Sequence, residues 1–349
     1  MKYHLALGRS IDLETIAHDA EVGLCPRHVM WGISQRLGAT IHQPSGHPVS
    51  FFDKIRSKIS SRPEHWALAR QLSESLDSND TIYCTGEDVG IPIATLCGAK
   101  RNRPKIAVFF HNIDRPRGRL AMKLLRLADN IDLFISNTRL QLDFLRNLGV
   151  SESRLLMLPE QTDTAFFTPG VSTPNHQRPI IASVGLEKRD YRLLAEATAD
   201  LDVDVKISGF SKDAIAMAQA FPETLPANMS RKFYSWPDLV QLYRDADLVA
   251  VTVTESKFCA GLTSVLEAMA CRRPVVVTKT QGLADYLTYP GTATVVNPGD
   301  AKGLRDAIAK LLNNPEETEA QAKCGYELAI EKHNSEHYIE VLAARLTSI

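Results

Sequence analysis

Short apolar runs alternate with helical patterns along almost the whole chain, six runs in each half. Strands separated by helices in this way are typical of parallel sheets with helical crossovers, so the alternation predicts a doubly wound α/β protein. The runs that predict strands are residues 3–7, 39–42, 81–84, 106–110, 131–135, 155–158, 180–184, 203–208, 232–234, 248–253, 274–278 and 292–296. Predicted helices include residues 28–37, 64–76, 117–128, 140–147, 190–199, 238–245, 302–312, 327–330 and 336–346.

A proline-rich stretch divides this alternation into two halves. Residues 169–179 contain three prolines and one glycine, which predicts a linker. The chain has 349 residues, more than a single hydrophobic core usually serves. We therefore predict two Rossmann-like domains that face each other across a cleft, at residues 1–168 and 180–330. Residues 331–349 are predicted to form a C-terminal helix.

The composition excludes several classes of protein. A formal net charge of −1 argues against a nucleic-acid-binding domain, which is usually clearly basic. The six cysteines include no C-x-x-C pair, so we expect reduced thiols and a cytoplasmic location. The sequence contains no run of about 18 apolar residues, and we expect no membrane-spanning helix.

The segment AGLTSVLEAMACRRPVVV, residues 260–277, carries the strongest functional signal. It predicts a tight loop, a short helix around Glu267, a stop at Pro274 and a buried strand. The first amides of a helix lack partners within the helix and, together with the helix dipole, favour an anion such as a phosphate. Glu267 is then placed to accept hydrogen bonds from hydroxyl groups such as those of a ribose. A diphosphate beside a ribose indicates a nucleotide.

A basic loop follows the first predicted strand of the second half, in the sequence SVGLEKRDYR. Gly185 allows the chain to turn, and Lys188 and Arg189 come just before a predicted helix. Cations at this point are able to neutralise a diphosphate, and an arginine does so with two hydrogen bonds. A solvated helix start gives the same pattern by itself. Its combination with the helix around Glu267 favours phosphate binding.

The LEAMA-x-x-x-PVV pattern resembles the donor-binding motif of family 4 glycosyltransferases, which have the GT-B fold. That family has two glutamates eight positions apart; the second corresponds to Glu267, but Cys259 stands at the first position. The resemblance implies transfer of a sugar from a nucleoside-diphosphate sugar to a carbohydrate, lipid-linked or small-molecule acceptor, with retention of anomeric configuration. It implies no metal and no cofactor beyond the nucleotide-sugar itself. It also implies that the C-terminal helix crosses back to the first domain.

The resemblance further implies roles for individual residues. Glu267 matches the glutamate that fixes the ribose, and His111, in the sequence FFHN, matches a histidine that contacts the transferred sugar. Arg189 is the best match for the basic group that holds the diphosphate and Lys188 the second, because Leu186 occupies the usual arginine position. The residues expected to bind the donor are Gly185, Gly209, Gly261, Leu262, Thr263, Ser264 and Cys259.

Glu87 and Asn112 are the candidates on the acceptor side. They follow two consecutive predicted strands, at the edge where the carboxyl ends of parallel strands meet. Glu87 is placed for contact with the acceptor or for general-base work. Capping of the Gly-Glu-Asp turn accounts for this residue equally well, and both interpretations stay open.

Cys259 is the main departure from the family pattern. A thiol is a weak hydrogen-bond partner and does not replace a carboxylate. The loss of a hydrogen bond to a charged group costs about 1.5–3 kcal/mol, a small part of the roughly 8–23 kcal/mol by which enzymes lower barriers. We therefore expect Cys259 to change how the donor is held rather than to abolish transfer. Glu255, four residues earlier, is a weak candidate for reaching the same sugar.

Three alternatives remain. A non-hydrolysing sugar-nucleotide epimerase shares the fold, but it needs acid–base carboxylates around the sugar. The second alternative is a GT-B subunit that binds the nucleotide-sugar without turnover and supports a catalytic partner. Cys259 is the one feature that favours it. In addition, a basic helix suits weak peripheral contact with a membrane, although a helix that covers a sheet needs the same apolar stripe. The apolar residues of this stripe are Leu120, Leu124, Leu125 and Leu127. The basic residues of this helix are Arg115, Arg117, Arg119, Lys123 and Arg126.

Overall fold

A computed structural model describes residues 1–174, 176–210 and 219–349, which form two compact units. Unit 1 consists of Met1–His18, His28–Pro159 and Glu336–Ile349, and unit 2 of Asp19–Arg27 and Glu160–Ser335. Residue 175, inside the predicted linker, lies outside the described residues. Each unit is built around its own parallel sheet.

The sheet of unit 1 has six parallel strands in the order β2-β1-β3-β4-β5-β6. The direction in which strands are added reverses between β1 and β3, and doubly wound sheets bind ligands beyond the carboxyl ends of the strands at such a point. The strands are β1 Lys2–Ala6, β2 Thr40–His42, β3 Asp80–Cys84, β4 Lys105–Phe109, β5 Leu133–Ser136 and β6 Leu155–Met157.

Helices cover both faces of this sheet. Apolar residues of α4, α5 and α8 pack on one face, and those of α2 and the C-terminal helix α14 (Ser335–Thr347) pack on the other. Leu342 and Leu346 of α14 are buried in the same cluster as Leu5 and Phe109 of the sheet. The remaining helices of this part of the chain are α1 Leu13–Glu21, α2 Val29–Leu37, α3 Phe51–Arg56, α4 Pro63–Ser75, α5 Glu87–Leu96, α6 Pro116–Leu124, α7 Leu127–Asn130 and α8 Arg139–Asn147.

The described part of unit 2 contains a second parallel sheet, in the order β12-β11-β10-β7-β8-β9. Counted within the unit this is the order 3-2-1-4-5-6 of dinucleotide-binding domains, with the reversal between β7 and β10. The strands are β7 Ile180–Val184, β8 Asp204–Ser208, β9 Met229–Arg231, β10 Leu248–Val251, β11 Val275–Thr278 and β12 Thr294–Val296.

Two layers of helices also enclose this second sheet. Residues of α10 and α11 pack on one face, and residues of α9 and α12 pack on the other. Both layers are rich in leucine, valine and isoleucine, as expected for parallel strands that are buried on both sides. The helices are α9 Tyr191–Thr198, α10 Trp236–Asp245, α11 Leu262–Ala270, α12 Ala301–Asn313 and α13 Pro315–Lys332.

Several sequence predictions of individual elements were wrong. The strand expected at 232–234 lies three residues earlier, as β9. The single helix expected at 117–128 is broken into α6 and α7 at Arg126, whose φ of +50° is not helical. Helices α1, α3 and α5 were not predicted. In α5 the sequence contains Gly90 and Pro92, both poor helix formers, and burial of Val89 and Ile93 outweighs that weak propensity.

Candidate functional site

The start of helix α11 lies at the reversal point of the unit 2 sheet. Strand β10 leads through a loop to Gly261, which has a φ of +91°. A Cβ atom at this position would lie 2.8 Å from Cγ1 of Val251, so glycine is required both by its conformation and by the available space. No side chain caps the helix. The amides of the first turn therefore receive no side-chain acceptor at the N-cap position.

Two of these amides remain without a partner among the described residues. The amide of Leu262 donates to the carbonyl of Cys259 at 3.3 Å, and that of Val265 donates to Gly261 at 3.1 Å. The amides of Thr263 and Ser264 have no such acceptor, and Thr263 is exposed. Amides without a partner at the positive end of a helix dipole favour an anion. The sequence analysis also expected Leu262 to bind the donor, but its amide N–H already donates to the carbonyl of Cys259.

Arg189 lies directly behind this helix start. Only 4% of the residue is exposed. Its guanidinium donates to the carbonyls of Val184 and Glu187, at 2.8 and 3.1 Å, and to Oγ of Ser264, at 2.9 Å. The sequence analysis expected Arg189 to hold a diphosphate directly. These contacts instead make it a buried positive charge that positions Ser264 and the loop.

Lys188 is the more accessible cation of the same loop. It is half-buried, has a φ of +56°, and its carbonyl accepts the amide N–H of Thr254 at 2.9 Å. Gly185 opens the loop with a φ of +104°, and a Cβ atom there would lie 2.2 Å from Nη2 of Arg189. The loop is thus fixed by the hydrogen bond from Thr254 and by the packing of Arg189 against Gly185, and Lys188 remains partly exposed.

Glu267 is buried one and a half turns into α11, with 5% of the residue exposed. Its Oε2 accepts a hydrogen bond of 2.7 Å from the hydroxyl of Tyr243. Burial raises the pKa of the Glu267 carboxyl from 4.5 to about 7, against the opposing effects of the Tyr243 hydrogen bond and the Arg189 charge. Within the described residues, that hydrogen bond occupies only one of the two carboxylate oxygens, so Oε1 is left as an acceptor.

Tyr243 is a site residue that the sequence analysis missed. Burial raises the pKa of its hydroxyl well above 10, so the group stays protonated and donates to Glu267. A signal was present in the sequence, because Tyr243 continues the buried stripe of α10 that includes Leu239 and Leu242. A buried tyrosine hydroxyl normally finds a partner, and a buried glutamate is a suitable one.

Cys259 and Glu255 lie in the loop before α11. Cys259 is 7% exposed and packs within the apolar core of unit 2, so its thiol replaces the expected carboxylate with an apolar group. Glu255 accepts the amide N–H of Gln281 at 3.0 Å. This contact gives Glu255 a structural role as a cap, which differs from the sugar contact considered from the sequence.

An aromatic and cationic edge follows β8. Nη2 of Arg231 donates to the carbonyl of Gly209 at 2.7 Å. The Arg231 guanidinium lies over the ring of Phe210 at 4.5 Å and over that of Phe221 at 4.1 Å. Phe210 is 46% exposed. The predicted donor residue Gly209 is therefore held in place beside an exposed aromatic ring.

The remaining candidates lie at the carboxyl edge of the unit 1 sheet. The carboxylate of Glu87 is buried and accepts the amide N–H groups of His111, at 2.9 Å, and of Asn112, at 3.2 Å. Glu87 therefore caps the turn at residues 111–112, after β4, and not the Gly-Glu-Asp turn considered from the sequence. The ring of His111 is half-buried; it packs on Phe109, and its Nε2 lies 3.3 Å from the carbonyl of Thr85.

A cavity of about 460 Å³ lies in unit 1 where β1 and β2 end. Residues that line it include Asp12, Glu14 and Trp31. The Asp12 carboxylate accepts the amide N–H and the hydroxyl of Thr15, at 3.0 and 2.8 Å.

Residues 175–328 match the family model described as Glycosyl transferases group 1. This segment contains the loop of Lys188 and Arg189 and the whole of α11. This match, over less than half of the chain, agrees with the resemblance to a glycosyltransferase inferred from the residues.

Curated relatives carry glycosyltransferase names. The chain is 29% identical over 214 residues to the D-inositol 3-phosphate glycosyltransferase of Corynebacterium jeikeium, with 54% of this chain and 50% of that protein covered. It is 30% identical over 214 residues to the protein of the same name from a Mycobacterium species, strain JLS, of which 46% is covered. The match thus spans about half the length of these relatives.

Solved structures establish the fold over the whole chain. Anabaena Alr3699/HepE in complex with UDP-glucose superposes with a TM-score of 0.69 at 15% identity, with 100% of both chains covered. Sucrose-phosphate synthase from Thermosynechococcus elongatus gives 0.73 at 15% identity, covering 100% of this chain and 99% of that one. The predicted GT-B fold, with two Rossmann-like units, is confirmed.

Proposed function

We propose that this protein is a glycosyltransferase that transfers a sugar from a nucleoside-diphosphate sugar to a sugar-containing acceptor. The observation that carries the proposal is the uncapped start of α11, with the Thr263 and Ser264 amides open, at the reversal point of a dinucleotide-type sheet. Lys188 stands in the adjoining loop and Arg189 lies buried behind it. This arrangement suits a diphosphate better than a neutral or cationic ligand.

In glycosyl transfer, negative charge develops on the departing diphosphate, which these amides and cations would surround. The bond between the anomeric carbon and the diphosphate oxygen breaks, and the diphosphate leaves with the electron pair. A new bond forms between the anomeric carbon and the oxygen of an acceptor hydroxyl, whose proton passes to the departing diphosphate. Preorganised donors that face developing negative charge contribute about 2.7–4 kcal/mol each to the lowering of the barrier. The Thr263 and Ser264 amides and Lys188 fill that role, and Arg189 holds them in position.

Glu267 then binds the ribose of the nucleotide. Its free Oε1 accepts hydrogen bonds from ribose hydroxyls, while Tyr243 fixes the other oxygen. The apolar Cys259 leaves the donor sugar without the carboxylate partner of the family pattern. We propose that transfer proceeds with retention of configuration, as the family resemblance implies, and that the nucleotide-sugar is the only small molecule required.

The proposal is tested with a panel of diphosphates and their sugars. UDP, GDP, ADP and dTDP are screened by thermal shift beside the corresponding nucleosides. One diphosphate should stabilise the protein by about 2.7 kcal/mol at a hundred times its Kd, and its nucleoside should not. The matching labelled nucleotide-sugar is then incubated with candidate acceptors, and the anomeric configuration of any product is read by NMR.

The same assay separates the rival functions. Hydrolysis or transfer of the sugar supports an enzyme, and a product of retained configuration supports the stereochemistry. Tight binding without turnover supports a binding-only subunit, the function that Cys259 favours. A protein that no diphosphate stabilises contradicts the proposal altogether.

A further inference from the structure

One surface of unit 1 combines positive charge with large exposed apolar side chains. We call it the basic face and define it as residues 51–62 and 114–126, which include helices α3 and α6. Soluble surfaces usually carry isolated apolar side chains, but here five of the largest occur on two neighbouring segments. The exposed fractions are 72% for Phe51, 66% for Phe52, 44% for Ile55, 50% for Leu120 and 58% for Leu124.

The two segments adjoin each other in the folded chain. A cavity of about 350 Å³ is lined from one side by the residues after α3, such as Ser57 and Ile59, and from the other by the start of α6, including Arg117. The residues after α3 and the start of α6 therefore adjoin, and the exposed apolar side chains belong to the same two segments.

The apolar residues of α6 that pack against the protein are not those exposed on the basic face. Ala121 and Met122 are buried and account for the inward face of the helix. Leu120 and Leu124 are one turn apart and point to solvent. Of the four leucines in the predicted stripe, Leu125 and Leu127 pack in the core of unit 1 as a sheet-covering helix requires, and Leu120 and Leu124 do not.

The charge of the basic face opposes that of the rest of the chain. Its two segments contain nine lysine and arginine residues and two aspartates, a net charge of +7 in a chain whose total is −1. Asp53 is buried against Arg70, and Asp114 is paired with Arg119. Arg56 is half-buried over the ring of Trp66, Arg126 is paired with Asp129 and Arg115 lies 3.7 Å from Glu87. The other cations are exposed: Lys54, Lys58, Arg62, Arg117 and Lys123. They present a positive field around the apolar side chains.

We propose that the basic face docks the protein onto the surface of a membrane rich in anionic lipids. Phosphate head groups complement the lysine and arginine side chains, and the phenylalanine and leucine side chains enter the boundary between head groups and acyl chains. A nucleic acid complements the charge but offers no apolar layer for these residues. Among the described residues no helix is long and apolar enough to cross a bilayer, so the contact is peripheral. The inference does not depend on glycosyl transfer.

The apolar part of the proposal is tested by co-sedimentation with vesicles at low salt. The protein should pellet with phosphatidylcholine vesicles containing 30% phosphatidylglycerol and not with phosphatidylcholine alone. The double variant Phe51→Ser/Phe52→Ser should lose binding by at least about tenfold, since two interfacial aromatic side chains are removed. The matched control Val22→Ser/Leu24→Ser, an equally exposed apolar pair elsewhere, should bind like the unmodified protein.

The charged part is tested in the same assay. Each lysine near an anionic surface contributes about 1 kcal/mol, so Lys54→Gln/Lys123→Gln should weaken binding by about 25-fold. The control Lys323→Gln/Lys332→Gln removes two exposed charges from α13 and should leave binding unchanged. Equal melting temperatures show that every variant is folded.

Three results would overturn the inference. One is equal binding, or none, to the two kinds of vesicle. Another is that both basic-face double variants bind anionic vesicles as tightly as their control variants do. The third is tighter binding to a soluble partner, either nucleic acid or an acidic protein, than to the anionic vesicles.

Discussion

Glu267→Gln is expected to lower kcat/KM for transfer by roughly 10²–10⁴-fold while leaving the fold intact. The substitution keeps the size of the side chain and an oxygen that can accept from Tyr243. It removes the negative charge that the carboxyl carries above its pKa of about 7, so the kinetics are compared above that pH. Two hydrogen bonds to a charged group contribute about 1.5–3 kcal/mol each, which sets this range. The measurement is initial-rate kinetics with the donor that the diphosphate panel selects.

Glu327→Gln provides the matched control, because it changes an exposed glutamate on α13 in the same unit. It should retain normal kinetics. Both variants should unfold at temperatures near that of the unmodified protein, which separates loss of function from loss of structure. Transfer by Glu267→Gln at the normal rate would show that this carboxylate does not hold the donor.

Arg189→Ala and Lys188→Ala are expected to weaken nucleotide binding for different reasons. Loss of Arg189 removes one donor from the Val184 carbonyl, which keeps the Ser264 hydroxyl, and removes the guanidinium donor from the Glu187 carbonyl and from Oγ of Ser264. A buried polar group left without a partner costs about 1–3 kcal/mol. This variant should therefore lose both stability and affinity for UDP. Lys188→Ala should lower the affinity by about 10–100-fold with little change in stability, because that side chain is not buried in a network.

Calorimetric titration with UDP and thermal unfolding of each variant measure the two effects separately. A stable Arg189→Ala protein with weakened binding would mean that Arg189 contacts the phosphate directly, as the family resemblance first implied. Unchanged affinity in Lys188→Ala would remove Lys188 from the diphosphate site.

Local sequence signals predicted helix α11 and the strand that follows it. The glycine before the helix, the apolar pattern around Glu267 and the stop at Pro274 are all short-range features. They fix the helix start and its open amides without reference to the rest of the chain. For the same reason the alternation of strands and helices was sufficient to predict two doubly wound sheets.

The burial of Arg189 could not be predicted from local sequence signals. It depends on β7 and β10 being neighbours, with Ile181 opposite Leu248, which brings the loop after one strand beneath the helix that follows the other. Likewise, Glu87 caps amides that lie about 25 residues further along the chain. Such long-range pairings determine whether a polar side chain serves a ligand or the protein itself.

A crystal structure of the protein with UDP tests the central claim most directly, because it locates the diphosphate relative to α11. The account predicts phosphate oxygens about 2.7–3.2 Å from the amide nitrogens of Thr263 and Ser264, with a ribose hydroxyl donating to Glu267. A diphosphate bound away from those amides, or a ribose that does not touch Glu267, would contradict it.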